Sequence, residues 1–183
     1  MKRCKWVNER SDTYIKYHDD EWGVAVYDDK KLFELLVLES FQAGLSWLCV
    51  LNKREYMRAS FDDFDPVKIS NYNEEKISIL LNNKDIIRSR RKIEAMINNA
   101  SIFLSIQKEF GTFSKYIWHF TDNKIIKNKN DVFNVTSPLS DKVSNDLRNR
   151  GMKYMGSIIV YSYLQAIGVI NDHETSCFKY DKY

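Results

Sequence analysis

A chain of 183 residues, 44% apolar and 29% charged, has the composition of a soluble globular protein and enough length to bury a sizeable core. Its 28 basic and 25 acidic residues leave a net charge of +3, too small to require a polyanionic partner. No apolar run approaches the roughly 20 residues of a membrane span, so membrane partners are not expected.

The N-terminus, MKRCKWVNER, has no apolar h-region, and a cytoplasmic location is the default expectation. Aromatic residues then gather: Trp6, Tyr14, Tyr17 and Trp22, the last two inside YHDDEWG. Aromatic side chains usually enter a core, yet His18, Asp19, Asp20 and Glu21 are unusually polar company for one.

A helix is expected over roughly 30–40, within the most apolar tract of the chain, Leu32 to Leu51. Glu39 lies there on the same helical face as Leu35, Leu36 and Ala43. That face should be buried, and an unpaired buried carboxylate is costly. Gly44 should end or kink this helix before Trp47.

Further helices are expected over roughly 74–82, 86–108, 138–149 and 156–167. The second of these carries an apolar stripe from Ile87 through Ile93, Met96, Ile97, Ala100, Phe103 and Leu104. Lys84, Arg88, Arg90, Arg91 and Lys92 cluster at its start and read as a solvated face. The tract from Thr121 to Ser137, rich in Asn and Lys, reads as a loop. No strand-type alternation is sustained in the first half, and the expected class is all-α.

Between the last two helices runs LRNRGMKYMG, Leu147 to Gly156. Basic residues before Gly151 suit a helix end, and Gly156 opens the next helix. Backbone N–H groups at Gly156 and Ser157 could bind a phosphate oxygen, with Lys153 adding sequence-independent affinity for nucleic acid. Three cysteines, an odd number, argue against a disulfide framework. His173 and Cys177 are four apart, a spacing that suits a zinc site, while Cys49 and His119 sit in apolar or aromatic context and read as core residues.

Several stretches taken together resemble the 3-methyladenine DNA glycosylase I family, bacterial enzymes of base excision repair. They are RC-x-W at Arg3–Trp6, YHDDEWG at Tyr17–Gly23, LFELLVLESFQAGLSW at Leu32–Trp47 and KRE at Lys53–Glu55. Then come IIRSRRKIEAMINNA at Ile86–Ala100, GTFSKYIW at Gly111–Trp118, LRNRGMKYMG, and YSYLQAIGVINDH at Tyr161–His173. Small departures are Ala25, where proline is common, and Met152, where phenylalanine is usual. Tyr154 stands where the superfamily's hairpin would have its first glycine.

The resemblance implies an all-α helix-hairpin-helix glycosylase fold, one domain over 1–183 with a base pocket between two helical lobes. It implies one structural zinc ion held by Cys4, His18, His173 and Cys177, joining the chain ends. It places Glu39 in the base pocket as the catalytic carboxylate, with Trp6, Tyr14, Tyr17, Trp22 and Trp47 as walls. The implied reaction is hydrolytic release of 3-methyladenine from double-stranded alkylated DNA by a monomer without lyase activity, leaving an abasic site. Asp172 receives no catalytic role, because it adjoins His173. Two other readings stand at this point: a zinc-stabilised module that recognises damage without cutting, and a helical scaffold in which every motif is packing.

Overall fold

The computed structural model describes residues 1–129 and 134–182. It is mostly helical. Helix α1 spans Asp12–Asp20, α2 Asp29–Gln42 and α3 Trp47–Ser60. After a 3-10 turn at Asp62–Phe64 come α4 (Pro66–Ile69), α5 (Glu74–Asn82), α6 (Arg90–Phe110) and α7 (Phe113–His119). Helices α8 (Pro138–Asn149) and α9 (Ser157–Ala166) follow.

Local chemistry sets these limits. Ser11, Asp28, Ser46, Asn73 and Thr112 each accept a first-turn backbone N–H, and Ser137 forms a reciprocal capping box with Ser140. Helix α2 ends at Gln42, and Gly44 follows with φ of 77°, as its position suggested. The long helix expected from 86 starts instead at Arg90; Ile86 and Ile87 are buried, but in the non-helical approach to it.

One refinement concerns the expected loop at Thr121–Ser137. Ile126–Lys127 (β1) pairs in parallel with Ile170–Asn171 (β2), a two-residue ladder that is the only sheet among the described residues. Residues 130–133 of that tract lie outside the described residues.

Helix α2 is buried on every side from Leu32 to Phe41 and packs on α3, α6, α7 and α9. A helix apolar all round belongs at the centre of a core. Glu39, one turn before the C-terminal end of α2, is therefore buried with it. A second, smaller apolar cluster joins Cys4, Val7, Tyr17, Trp22, Leu51 and Cys177, with Trp6, Tyr14 and Trp47 packed against it. Trp47 also packs on the main core and bridges the two.

Where the β2 segment returns past the N-terminal part of the chain, Gly168 is required. It has φ of +74°, and a Cβ there would lie 2.5 Å from the Ala25 nitrogen. Gly168 thus lets the C-terminal segment lie against residues 24–25, which brings His173 towards α1.

A buried ion network fixes α2 against α3. Arg54 donates to Glu34 at 2.8 Å and makes a forked pair with Glu21 at 2.8 and 2.9 Å. Arg58 and Lys31 add bonds to Glu34 at 2.6 and 3.1 Å. Burial works to raise the Glu34 carboxyl, and the Arg54 guanidinium overrides it, holding the group below its ordinary value. Removing one partner leaves uncompensated charge. Arg54→Ala is expected to cost about 3–5 kcal/mol in urea unfolding at neutral pH; a loss below about 1 kcal/mol would place the network among weak surface pairs.

Candidate active site and metal centre

All five predicted aromatic walls line one cavity of about 480 Å³, and Glu39 lines it with them. Trp6 and Tyr14 rings are 5.8 Å apart, Trp6 and Trp22 5.0 Å, and Tyr17 and Trp47 5.2 Å. Five segments contribute: the N-terminal stretch with Trp6, α1, the turn after it with Trp22, α2 and the first turn of α3. Most of these rings meet edge-on or tilted, an arrangement that builds a rigid frame.

Glu39 is 4% exposed, and its Oε2 has no hydrogen-bond partner among the described residues. Burial alone pushes its carboxyl up to about 8. The Tyr17 hydroxyl is also driven up, first by burial and then by the Glu39 charge. The indole N–H groups of Trp6 and Trp47 are likewise buried without partners. His173 Nε2 is a fourth such atom; buried polar atoms are normally satisfied, so four orphans around one cavity mark a place for a polar ligand.

The four predicted metal residues converge. Ligand atoms of Cys4, His18, His173 and Cys177 all lie within 4.8 Å of one another, and all four residues are buried. Cys4 Sγ is 3.5 Å from His173 Nδ1, and Cys177 Sγ is 3.5 Å from His18 Nε2 and 3.7 Å from His173 Nδ1. With metal–sulfur and metal–nitrogen bonds of about 2.3 and 2.0–2.1 Å, a tetrahedral S···N edge is about 3.6 Å. The donor set therefore has the chemistry and spacing to hold a metal ion. His18 Nδ1 lies 2.8 Å from Asp19 Oδ1, and Arg3 grips that carboxylate at 2.7–3.0 Å. Such a carboxylate orients a ligating imidazole. Burial lowers both histidines, His173 to about 3, and raises the Cys4 thiol to about 12.

The two centres share walls. Trp22 meets His173 edge-on at 4.6 Å and Trp6 meets His18 at 5.4 Å, while His173 itself lines the cavity.

The hairpin departs from expectation in detail. Gly156 is the N-cap of α9, no side chain among the described residues caps that helix, and Lys153 is exposed beside it. The Ser157 hydroxyl is engaged with Asp141 at 2.5 Å and with Ser140 at 2.8 Å, so only its backbone remains for an anion. Tyr154 holds φ of 56°, the left-handed conformation a glycine would adopt at no cost. For tyrosine this costs roughly 1–2 kcal/mol. Arg150 turns away, pairing with Glu109 and Asp146 and lying over Phe110 and Tyr116.

Two further readings are corrected. Lys92, expected on a solvated face, is buried and donates to the carbonyls of Phe41 at 2.6 Å and Ala43 at 2.7 Å. It satisfies the last carbonyls of α2, which the helix itself leaves open. His119, expected in the core, is exposed and stacked on Phe110 at 5.6 Å, and Cys49 is only half-buried.

Gln42, Ser162 and Gln165 also line the cavity and escaped the sequence reading; Asp172, weighed there and given no catalytic role, lines it as well. Gln42 was within reach, three positions after Glu39 on the same helix. The others come from α9 and the segment after it, and nothing in their spacing ties them to Glu39. The Asp172 carboxylate accepts from Tyr161 at 2.8 Å, from Gln165 at 2.6 Å and from Asn128.

Comparison with known proteins agrees with this geometry. The methyladenine glycosylase family matches residues 6–180. The DNA-3-methyladenine glycosylase 1 of Escherichia coli (strain K12) is 42% identical, covering 98% of this chain and 97% of its own length. A crystal structure of a 3-methyladenine DNA glycosylase I superposes with a TM-score of 0.93 at 43% identity, over 97% of this chain and 98% of that one. The Staphylococcus aureus 3-methyladenine DNA glycosylase I, solved for the structural basis of 3-methyladenine recognition, gives 0.94 at 34% identity, over 99% and 97%. With the match running through nearly the whole chain, and through every wall of the cavity, this protein belongs to the methyladenine glycosylase family.

Proposed function

We propose that the protein is a monofunctional DNA glycosylase that takes 3-methyladenine out of alkylated double-stranded DNA and hydrolyses its glycosidic bond. The observation that carries this reading is Glu39, a buried, unpartnered carboxylate in an aromatic slot. Such a slot excludes a stacked base pair, so the nucleotide must be flipped into it. Methylation at N3 makes the adenine ring electron-poor and cationic. Trp and Tyr faces attract such a ring, and a carboxylate can accept from its exocyclic amino group and complement its charge. When the bond between C1′ and the base nitrogen breaks, the base takes the electron pair and leaves neutral. Water then adds to C1′ and gives up a proton.

The same reading makes the chain a single domain, acting as a monomer, whose cavity lies between two helical lobes. It makes α8, the turn and α9 a helix-hairpin-helix element for the DNA backbone, with Lys153 and the Gly156 and Ser157 N–H groups as phosphate contacts. It assigns zinc to the Cys4, His18, His173 and Cys177 cluster. The ion would supply a crosslink, because four protein ligands leave no open position for water. A lyase would need a desolvated amine in the cavity. Lys5, which lines the cavity, is exposed at its mouth with its ammonium 4.0 Å from Glu174.

The test is chromatography of the bases released from methylated duplex, with the strands then examined. Released 3-methyladenine, intact strands and alkali-sensitive abasic sites are expected, and borohydride should trap no adduct. Binding without base release would move the protein to the damage-recognition reading.

Gly156→Asp separates the hairpin from the pocket. A Cβ at Gly156 meets nothing within 4 Å, and its φ of −67° suits any residue. Aspartate is also a better N-cap than glycine by a few tenths of a kcal/mol. Stability should hold or rise, while affinity for damaged and undamaged duplex falls roughly tenfold to a hundredfold through loss of a charge-assisted bond. Unchanged affinity across a salt series would return the hairpin to a structural role.

A further inference from the structure

We propose that Asn99 sets the α8–α9 hairpin for DNA, gripping the Lys153 backbone so that a turn without its glycine holds the shape a phosphate contact needs. The inference rests on the DNA-glycosylase reading above and deepens it.

Asn99 lies in α6, 54 positions before Lys153, and is 1% exposed. Its Oδ1 accepts from the Lys153 N–H at 2.8 Å, and its Nδ2 donates to the Lys153 carbonyl at 2.9 Å. The side-chain amide thus pairs with both polar groups of one residue. Only Asn or Gln offers a donor and an acceptor in one plane for such a pairing. Asn98 donates to the Gly151 carbonyl at 3.0 Å and to Asn99 Oδ1 at 3.2 Å, and Ser144 Oγ donates to the Met155 carbonyl at 2.6 Å. Carbonyls 151, 153 and 155 are therefore each held by a side chain.

The residue between the last two is Tyr154, in the left-handed region. A strained conformation persists only where its surroundings over-determine it. Here the surroundings are two neighbouring residues pinned by hydrogen bonds, one of them at both ends. Because Asn99 holds the backbone of Lys153, the exposed ammonium stays free for a phosphate. The grip also sets where α9 begins, with its N-cap three residues later at Gly156. Asn99 touches neither the cavity nor the metal ligands, so it is a positioning residue for DNA and not for the base.

The test measures two affinities on the same metal-loaded proteins. Fluorescence anisotropy gives Kd for an undamaged duplex, and tryptophan fluorescence gives Kd for free 3-methyladenine. Asn99→Ala should weaken the duplex about tenfold, as expected for losing a two-point hydrogen-bonded hold, and leave free-base affinity unchanged. In turnover the loss should fall on KM rather than kcat. Asn99→Asp keeps the acceptor, removes the donor and preserves size; it should act in the same direction and serves if the alanine variant does not fold. Tyr154→Gly in the Asn99→Ala background should restore most of the duplex affinity, since glycine takes the turn unaided. Wild-type duplex affinity in both Asn99 variants overturns the proposal, as does equal loss of duplex and free-base binding. A wild-type protein with no duplex affinity overturns the DNA reading itself, and the role of Asn99 with it.

Discussion

Cys177→Ser protein is expected to carry little metal and to melt roughly 10–20 °C below wild type, as a loss of about 5 kcal/mol implies for a chain of this size. The four donors come from the two ends of the sequence, Cys4 and His18 against His173 and Cys177, with three S···N separations of 3.5–3.7 Å that match the S···N edge of a metal tetrahedron. A bound ion closes a loop over most of the chain, and closing a loop of about 100 residues by a crosslink is worth about 4.7 kcal/mol in the chain-entropy account. Serine offers no thiolate, so the site falls to three ligands. Burial holds the Cys4 thiol up near 12 without metal, so loading must displace a proton and should tighten as pH rises. The cavity should suffer too, because Trp6 and Trp22 rest on His18 and His173. Metal analysis of protein purified without chelator should give about one ion per chain. Wild-type protein that is free of metal, folded and as stable as the loaded form would remove the structural role.

What could be read in advance was whatever announces itself by residue type. The aromatic cluster, Glu39 in its apolar tract and the His173–Cys177 spacing stand out because each is chemically out of place or regularly spaced. Helix α3 escaped because its buried positions are Val50, Leu51, Arg54 and Met57. The arginine hides in a core-facing stripe and looks like surface until its partners, Glu21 and Glu34, are known. Lys92 was misread for the same reason: its partners are backbone carbonyls of α2, 49 and 51 positions away, which no local pattern reveals. Helix α1 shows only two buried residues, Tyr17 and His18, and owes its start to the Ser11 cap. His119 shows the converse, since aromatic neighbours in sequence did not make a core. Buried charges that have partners, such as Arg54 and Lys92, are legible only with those partners, which lie far off in sequence, whereas the unpaired Glu39 stands out alone.

Glu39→Gln should lose base excision by about 10²–10³-fold, the size of effect seen when one preorganised electrostatic partner is removed, while duplex affinity stays near wild type. The amide keeps the shape of the carboxyl and most of its hydrogen-bonding capacity but cannot complement a cationic ring. Stability should move the opposite way. Burial raises the folded-state carboxyl to about 8 from an ordinary 4.5, so between those values the folded protein binds more protons than the unfolded chain. Stability contributed by this group is thus fully present below the ordinary value and is lost as pH rises through about 8. At pH 7 that loss approaches about 3 kcal/mol, and the glutamine variant does not suffer it. The variant should therefore gain on wild type in urea unfolding as pH is raised from 5 to 8. Wild-type kcat/KM should climb towards pH 8 as the free enzyme's carboxylate forms, and the variant's profile should lack that limb. A cationic base entering the slot favours the ionised form, which couples recognition to proton release. Full activity in the variant, or the same rising limb without the carboxylate, would take Glu39 out of the reaction and leave its burial unexplained.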